Sequence, residues 1–583
     1  MKKRLFFLIA LMFCFVLAAC ALSACNESGG AGQQTPDGGQ PGTETPEQPG
    51  GEDPGDEPGE EVIQYRLVYA AASGGSIGGT AAQTVEEKGN GTAVTAVPDE
   101  GYEFVRWSDG RTDNPRTDSN VTSDVNVTAE FRLIGNTTDF AGGVGTADHP
   151  YEIETIDHLR NMELYPCAHY VLAADIVLPE VAEGESNFTP LFSDKAMFGG
   201  TLSGDGHKIV NLAIYNTETL YSGLIACLGA SGRIQNIVLE NASVSGTGYI
   251  GSITGFALGN VNDCFVSGDI NVISGHEEIL VGGIAGYAEG DVNRCDTDVE
   301  ITSAYTDEIK ESVDRCYVGG IIGYLAYGGS ADEPLTLHAK GNISEIRSTQ
   351  ITYIGGIVGY AGTRLFLADC FVQNTITAVN SNASICAGGL VGYSSATTII
   401  NKSRTACNLS CFNAGKELYA GGLIGRANGF TQITDSYVTE DLIGGASTGD
   451  GKVYVGGFIG YEHSELSVAH SYSTGIVDGL AIEGETFAGG LVGYIGAGFT
   501  LQDTHWRYGS NWDYSIVEYA VGYSDSLGIP TSIGSTRHNA LEEFYTLADT
   551  LNAGREEPVW EHKGEGTLPT LIEKTQENEE ETL

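Results

Sequence analysis

Four sets of residues in this 583-residue chain have the types that binding or catalysis uses. A glycine-rich hexad, "GGIVGY" at Gly355 and "GGLVGY" at Gly388 and Gly489, has the glycine density of a phosphate-cradling loop. Aspartates recur at Asp263, Asp369, Asp435 and Asp503, the residue type of carboxylate-pair hydrolysis or calcium binding. His276-Glu277 in "SGHEEIL" starts like the HExxH of a zinc peptidase. Beyond residue 25 there are nine cysteines.

Each set fails a test of spacing. The hexad is not GxGxxG, no helical pattern follows it, and it recurs, whereas a nucleotide site is needed once. No second histidine stands four residues after His276, and the 11 histidines are scattered singly, with no Ser/His/Asp constellation. The cysteines contain no CxxC, and Cys407 and Cys411 lack histidines at zinc spacing. An odd count of nine also argues against a complete disulfide framework. A catalytic carboxylate is unique, while the aspartate repeats, so the repeat reads as a turn or an outward strand position. No calcium-type GGxGxD nonapeptide is present. These patterns assign no catalytic residue, no cofactor-binding residue and no metal ligand.

Repetition is the informative property. "SGLIAC" at Ser222, "GSITGF" at Gly251, "GGIAGY" at Gly282, "GGIIGY" at Gly319, then the copies at Gly355, Gly388, Gly421, Gly456 and Gly489, make nine, at steps of 29 to 37 residues. Periods of this size mark solenoids. A second beat follows 13 to 15 residues later, carrying Cys264, Cys295, Cys370, Ser436, Ser471 and Thr504. Small semi-polar residues at one register predict an inward ladder in stacked coils, with the thiols acting as small hydrophobes. The glycines then read as places where backbone approaches backbone.

The hexad resembles the GLUG-type repeat of bacterial surface proteins. "GTADHPYEIETIDHLRNM" (145–162), "YVLAADIVL" (170–178) and "FGGTLSGDGHKIVNLAI" (198–214) look like the opening of such β-solenoids, and "VWEHKGEGTLPTL" (559–571) like their close. The resemblance implies a short helix at Ile156–Met162 over the first coil, and a turn at Gly204, Gly206 and His207 before a strand at Lys208–Ile214. Leu541, Phe544, Leu547 and Leu551 have helical spacing, with Gly554 as the stop. Repeats of this type also occur beside peptidase domains that cleave immunoglobulin A, but no peptidase motif accompanies them in this chain.

The ends and the composition place the molecule. Lys and Arg total 29 against 77 Asp and Glu, a net charge of −48. Nucleic acid is excluded as a partner, because phosphate binding needs clustered cations. Lys2, Lys3 and Arg4 precede an apolar run, Leu5 to Leu17, and then Leu22-Ser23-Ala24-Cys25. The last four resemble the lipobox of bacterial lipoproteins, which implies cleavage after residue 24 and a lipid on Cys25; "LAAC" ending at Cys20 is the alternative. Residues 25–62 are acidic, rich in Gly and Pro, and free of aromatics, so they read as an unfolded tether. Residues 63–133, with Gly101-Tyr102, Phe104, Trp107-Ser108-Asp109-Gly110 and Ala129-Glu130-Phe131, resemble the internalin B-repeat family. That implies a small β-grasp-like module; in so small a domain Trp107 reads as a core residue, with a sugar platform as the alternative.

The expectation is therefore an all-β chain, a long right-handed parallel β-helix of about nine repeats preceded by a small β module. Its segments are a signal peptide (1–24), a tether (25–62), the module (63–133), the capped solenoid (138–572) and an acidic tail (573–583). The expected role is lipid-anchored adhesion at a bacterial surface, with a host glycan or protein as ligand. Polysaccharide cleavage and a non-catalytic envelope scaffold are the alternatives.

Overall fold

The computed structural model describes residues 62–573, except 100–101, 134–137, 194–195, 274–276, 304–314, 347, 349, 381–383, 414–415, 440–441, 509–516 and 565. The signal peptide with Cys20 and Cys25, nearly all of the tether, Gly101, His276 and the tail from residue 574 lie outside the described residues. The chain divides into two compact units, Met1–Glu152 and Ile153–Leu583.

In the first unit a four-stranded sheet runs Ala82–Glu86, Gln64–Ala71, Val125–Leu133, Tyr102–Trp107. Gln64–Ala71 and Val125–Leu133 are parallel and the outer pairings are antiparallel. Leu67, Val94, Trp107 and Ala129 fill the core. Trp107 is 0% exposed and donates its indole N–H to Asp113 O at 3.0 Å. Arg116 lies over the Trp107 ring at 5.4 Å and forks onto Asp118 at 2.8 and 3.0 Å. The tryptophan is therefore packing, as expected, and presents no face to a ligand.

The second unit is a parallel β-solenoid of about ten turns. Thr155 caps the opening helix, Ile156–Asn161, by accepting from His158 N at 3.1 Å, and buries Leu159 beneath it. Three parallel sheets run along the column. The first has nine strands, from Tyr221–Ser222 to Thr486–Gly489, each ending at the first or second residue of a glycine hexad. The second has eleven, starting at Ile225–Leu228, and takes the residues after each glycine pair. Its last pairing, Val521–Ser524 with Ile529–Thr531, is an antiparallel hairpin. The third includes the longest strands, such as Phe371–Asn380 and Arg404–Asn413. Ile322, Val358, Val391, Ile424, Ile459 and Val492 stack in register inside the column and are buried. Each such side chain contributes about 1.5–3 kcal/mol of burial.

Two kinds of corner join these strands. At the glycine corner, a Cβ on Gly356 would sit 2.1 Å from Gly389 O of the next coil, and one on Gly359 would sit 2.6 Å from Val318 N. Neither residue has positive φ, so the requirement is space, not backbone freedom. The other corner does need a left-handed residue. Asn236, Asp263, Arg294, Asp369, Lys402, Asp435, His470 and Asp503 occupy it at φ of 46 to 56°. Asn and Asp tolerate that region best. The recurring aspartate is thus a turn residue, as the repetition suggested.

The small residue after this corner points inward. The Ser436 hydroxyl donates to Thr434 O at 2.9 Å and accepts the Ser403 N–H at 3.2 Å. Ser471 does the same for Ala469 O and Ser436 N–H, at 2.8 and 3.0 Å. Cys264, Cys295 and Cys370 sit at the same place and direct Sγ at a carbonyl two residues back, at 3.2, 3.3 and 3.6 Å. Burial pushes the Cys370 thiol up to about 12, so it stays protonated.

After the last coil, Leu541–Thr546 is a 3₁₀ turn and Ala548–Leu551 a single α turn. The expected continuous helix is instead split at Leu547. Asn552 is the C-cap of the α turn, and Gly554 follows in the next turn at φ 78°. Phe544, Leu547, Leu551 and Trp560 pack on Tyr437 and Tyr472 along the flank of the column. Asp435 accepts from Arg555 Nη1 at 3.0 Å and Trp560 Nε1 at 3.3 Å.

Candidate functional site

The residues flanking the glycine corner form the most distinctive surface. Four copies spell it out: "YVGGIIGY" from Tyr317, "YIGGIVGY" from Tyr353, "YAGGLIGR" from Tyr419 and "YVGGFIGY" from Tyr454. The leading tyrosines lie on the first sheet, where Tyr317 pairs Tyr353 and Tyr419 pairs Tyr454. The closing tyrosines lie on the second, where Tyr287, Tyr324, Tyr360 and Tyr393 are successive register partners. Both rows point outward, yet their rings touch. Tyr317 meets Tyr324 and Tyr360 edge to face at 5.6 and 5.5 Å, and Tyr454 meets Tyr461 and Tyr494 at 5.2 and 5.7 Å. Outward rows of adjoining strands can touch only if the corner between them is re-entrant. The glycines create that corner by letting the two backbones close up.

Along each row the rings stack. Tyr324–Tyr360 and Tyr360–Tyr393 are 4.9 Å apart and Tyr461–Tyr494 5.1 Å. Over nine coils at the usual inter-strand spacing the double row runs about 40 Å. Ring faces are taken up by the neighbouring coils; the closing tyrosines stay partly exposed, while Tyr317, Tyr419 and Tyr454 of the leading row are only 7% exposed. Burial raises the hydroxyl pKa of Tyr454 to about 12, and the hydroxyls stay neutral donors at physiological pH. Asn428 Nδ2 donates to Tyr393 OH at 2.6 Å, and Tyr494 OH donates to Asp525 at 2.6 Å.

The first row breaks at Leu280, between Tyr249 and Tyr317, and both rows break near their middle. Cys386 stands between Tyr353 and Tyr419 in the first, and Arg426 between Tyr393 and Tyr461 in the second. Arg426 lies over the rings of Tyr393, Tyr419 and Tyr461 at 5.8, 4.9 and 5.2 Å.

The carboxylates on the other faces are tied to neighbours. Asp263 holds Arg294 at 2.6 Å, Asp296 holds His338 at 2.9 Å, Glu240 holds Lys208 at 2.8 Å and Asp269 accepts from Ser243 at 2.8 Å. Asp369 and Asp503 lie at their own corners, and Asp503 is 3.4 Å from His470. The four recurring aspartates are one corner position on different coils. A carboxyl with a raised pKa, Glu462, is pushed to about 8 by burial, but it is 0% exposed and out of a substrate's reach. Among the described residues no group of three or more His, Cys, Asp or Glu could hold a metal ion.

The hexad contains the closing tyrosines, but the leading ones lie outside it. The signal was present as Tyr-x-Gly-Gly in four copies, at Tyr317, Tyr353, Tyr419 and Tyr454. Sequence reasoning passed over Ser403, which belongs to the inward hydroxyl ladder.

Comparison with known proteins adds the following. The divergent InlB B-repeat domain family matches residues 65–135. Halomucin of Haloquadratum walsbyi is 36% identical over 138 residues, which is 22% of this chain and 2% of that protein. A protein named as a Gly-rich membrane protein of Evansella cellulosilytica is 32% identical over 133 residues, 22% of this chain and 15% of that one. The matches thus span a small part of either relative. A solved structure, named as an immunoglobulin A1 protease from Bacteroides ovatus, aligns with 74% of this chain and 95% of its own at 17% identity and a TM-score of 0.25. That likeness carries no argument about activity.

Proposed function

We propose that this chain is a surface protein that binds extended macromolecules, glycans first among them, along the re-entrant tyrosine rows of its solenoid. The double row is the observation that carries the reading. It runs along the column as a packed aromatic cluster, and its closing tyrosines stay partly exposed at coil spacing. Tyrosine combines a rigid apolar body with a hydroxyl, which suits it to interfaces that stay wet. Membrane attachment through a lipid on Cys25, or on Cys20 if cleavage falls earlier, and a tether of residues 25–62 would hold the column away from the cell. Acylation by several chains, at about 0.8 kcal/mol per buried methylene, suffices for stable anchoring. The names of the two relatives, a halomucin and a membrane protein, fit a surface location.

The test is a binding screen of the full chain against mucin, matrix proteins and plant glycans. Retention on a glycan, lost when Tyr360 and Tyr393 are both changed to Ser, supports the reading; no retention on any of them rejects it. Polysaccharide cleavage is the second reading. It draws on the strand Cys295–Ser303, which presents Asp296, Asp298 and Glu300 in alternate outward positions beside Lys340. Shortening of a polymer on incubation would establish it in place of binding alone. For the anchor, Cys25→Ser is expected to release the protein into the medium.

A further inference from the structure

Arg426 is anomalous in three ways. First, it replaces an aromatic ring in a row that reads Tyr287, Tyr324, Tyr360, Tyr393 before it and Tyr461 after it. Second, the opposite row makes room for it. Tyr353 in one coil meets Tyr393 in the next at 5.3 Å, and the equivalent partner of Arg426 is the small Cys386. Third, it has no counter-ion. In a chain with 77 acidic residues, Arg294, Arg315 and Arg555 each hold a carboxylate, yet among the described residues none lies within ion-pair distance of Arg426. Its Nε is buried without a hydrogen-bond partner, and so is Oδ1 of the nearby Asn428. The contact its guanidinium does make is Nη1 to Tyr419 OH, at 3.3 Å. A desolvated donor left unmatched destabilises the free protein, and a ligand acceptor would recover that loss.

Resting on the glycan-binding reading above, we propose that Arg426, framed by Tyr393, Tyr419, Tyr461 and Asn428, is the subsite for a carboxylate carried by a glycan chain lying in the groove. The planar guanidinium matches a carboxylate with two parallel hydrogen bonds, and the surrounding rings exclude competing water. Spacing favours a sugar polymer over an acidic peptide. Successive rings are 4.9 Å apart, close to one sugar unit of an extended chain. An extended peptide repeats on one face roughly every 6.7 Å and falls out of step within two coils. The net charge of −48 favours a ligand of sparse acidity, because a dense polyanion would be repelled by most of the surface.

The experiment measures binding of the full chain to glucuronoxylan and to the same polymer after reduction of its carboxyl groups. Wild type is expected to bind the acidic form about tenfold more tightly. The preference should shrink as salt rises. In Arg426→Tyr, which restores the ring found on the neighbouring coils and so preserves the fold, the ratio should fall to about one. An unchanged thermal melt of that variant verifies folding. Equal binding of both polymers by wild type, or a preference retained in Arg426→Tyr, overturns the subsite and leaves the glycan reading standing. No binding of either polymer overturns both, and tighter capture by a polyglutamate peptide than by glucuronoxylan assigns the site to a different ligand and overturns the proposal.

Discussion

The two corners of each coil solve one problem, turning a strand without disturbing its neighbours, by opposite means. At the glycine corner the backbone itself does the packing. Gly355, Gly356 and Gly359 each have a neighbouring backbone atom within 2.6 Å of where a Cβ would stand. The doublet therefore recurs almost without change. At the left-handed corner the cost of positive φ is local, and a cross-coil side-chain hydrogen bond compensates. Asp, Asn, Lys, Arg and His all serve there, and a Ser, Cys or Thr follows inside in every case but Asn236, which Ile237 follows. Leu337, in register between Cys295 and Cys370, is a second apolar residue at this inward position. The lesson is that a repeat keeps a residue where backbone meets backbone, and varies it where a side chain mediates. The surface above the strict corner is the aromatic groove, and the surface above the tolerant corner carries charge pairs.

That contrast can be broken by mutation. The largest effect should come from Glu462, on the glycine side, whose register neighbours are Ala427 and Ile495. Its carboxyl moves from 4.5 to about 8 on burial. A raised acid pKa means that its protonated form supports the fold; the contribution is complete below about pH 4.5 and is lost as pH rises through 8. The shift corresponds to on the order of 4–5 kcal/mol at high pH. Glu462→Gln should therefore raise the melting temperature at pH 9 and leave it nearly unchanged at pH 5; identical pH profiles for the two proteins would refute this. Next, Gly389→Ala places a methyl 2.1 Å from Gly422 O. It should cost about 2–4 kcal/mol and increase amide exchange in the two flanking coils. Third, Ser436→Ala strands the buried Ser403 N–H and should cost about 1–3 kcal/mol, while Ser436→Cys, the residue found on other coils, should cost less. Smallest, Asp369→Asn at the tolerant corner should change stability by no more than about 0.5 kcal/mol, read from a denaturant midpoint. A reversed order between Gly389 and Asp369 would break the comparison.

The column was legible because its constraints repeat. Glycine doublets and the Cys/Ser beat each carry one coil's geometry, so their spacing encodes the stack before any contact is known. The aspartates were readable as corner residues for the same reason. The groove was harder. "YVGGIIGY" displays both tyrosines, but whether two outward rows meet depends on the sign of the angle between strands, which no local pattern states. Arg426 looked like a lapse in the hexad, and its meaning lies in Cys386, forty residues away and opposite it only after stacking. Glu462 could not be read as buried either, since the same position on neighbouring coils is Ser394, Ala427 and Ile495. The C-terminal segment showed its helical spacing but not its seat on Tyr437 and Tyr472, about a hundred residues earlier.

The most direct measurement is amide and side-chain protection mapped over the full chain with and without a bound glycan. The account places protection at 317–324, 353–360, 386–393 and 419–426, stronger toward Arg426 when the glycan carries carboxylates. Protection confined to residues 65–135, or to the charged flank around Cys295–Ser303, would contradict it.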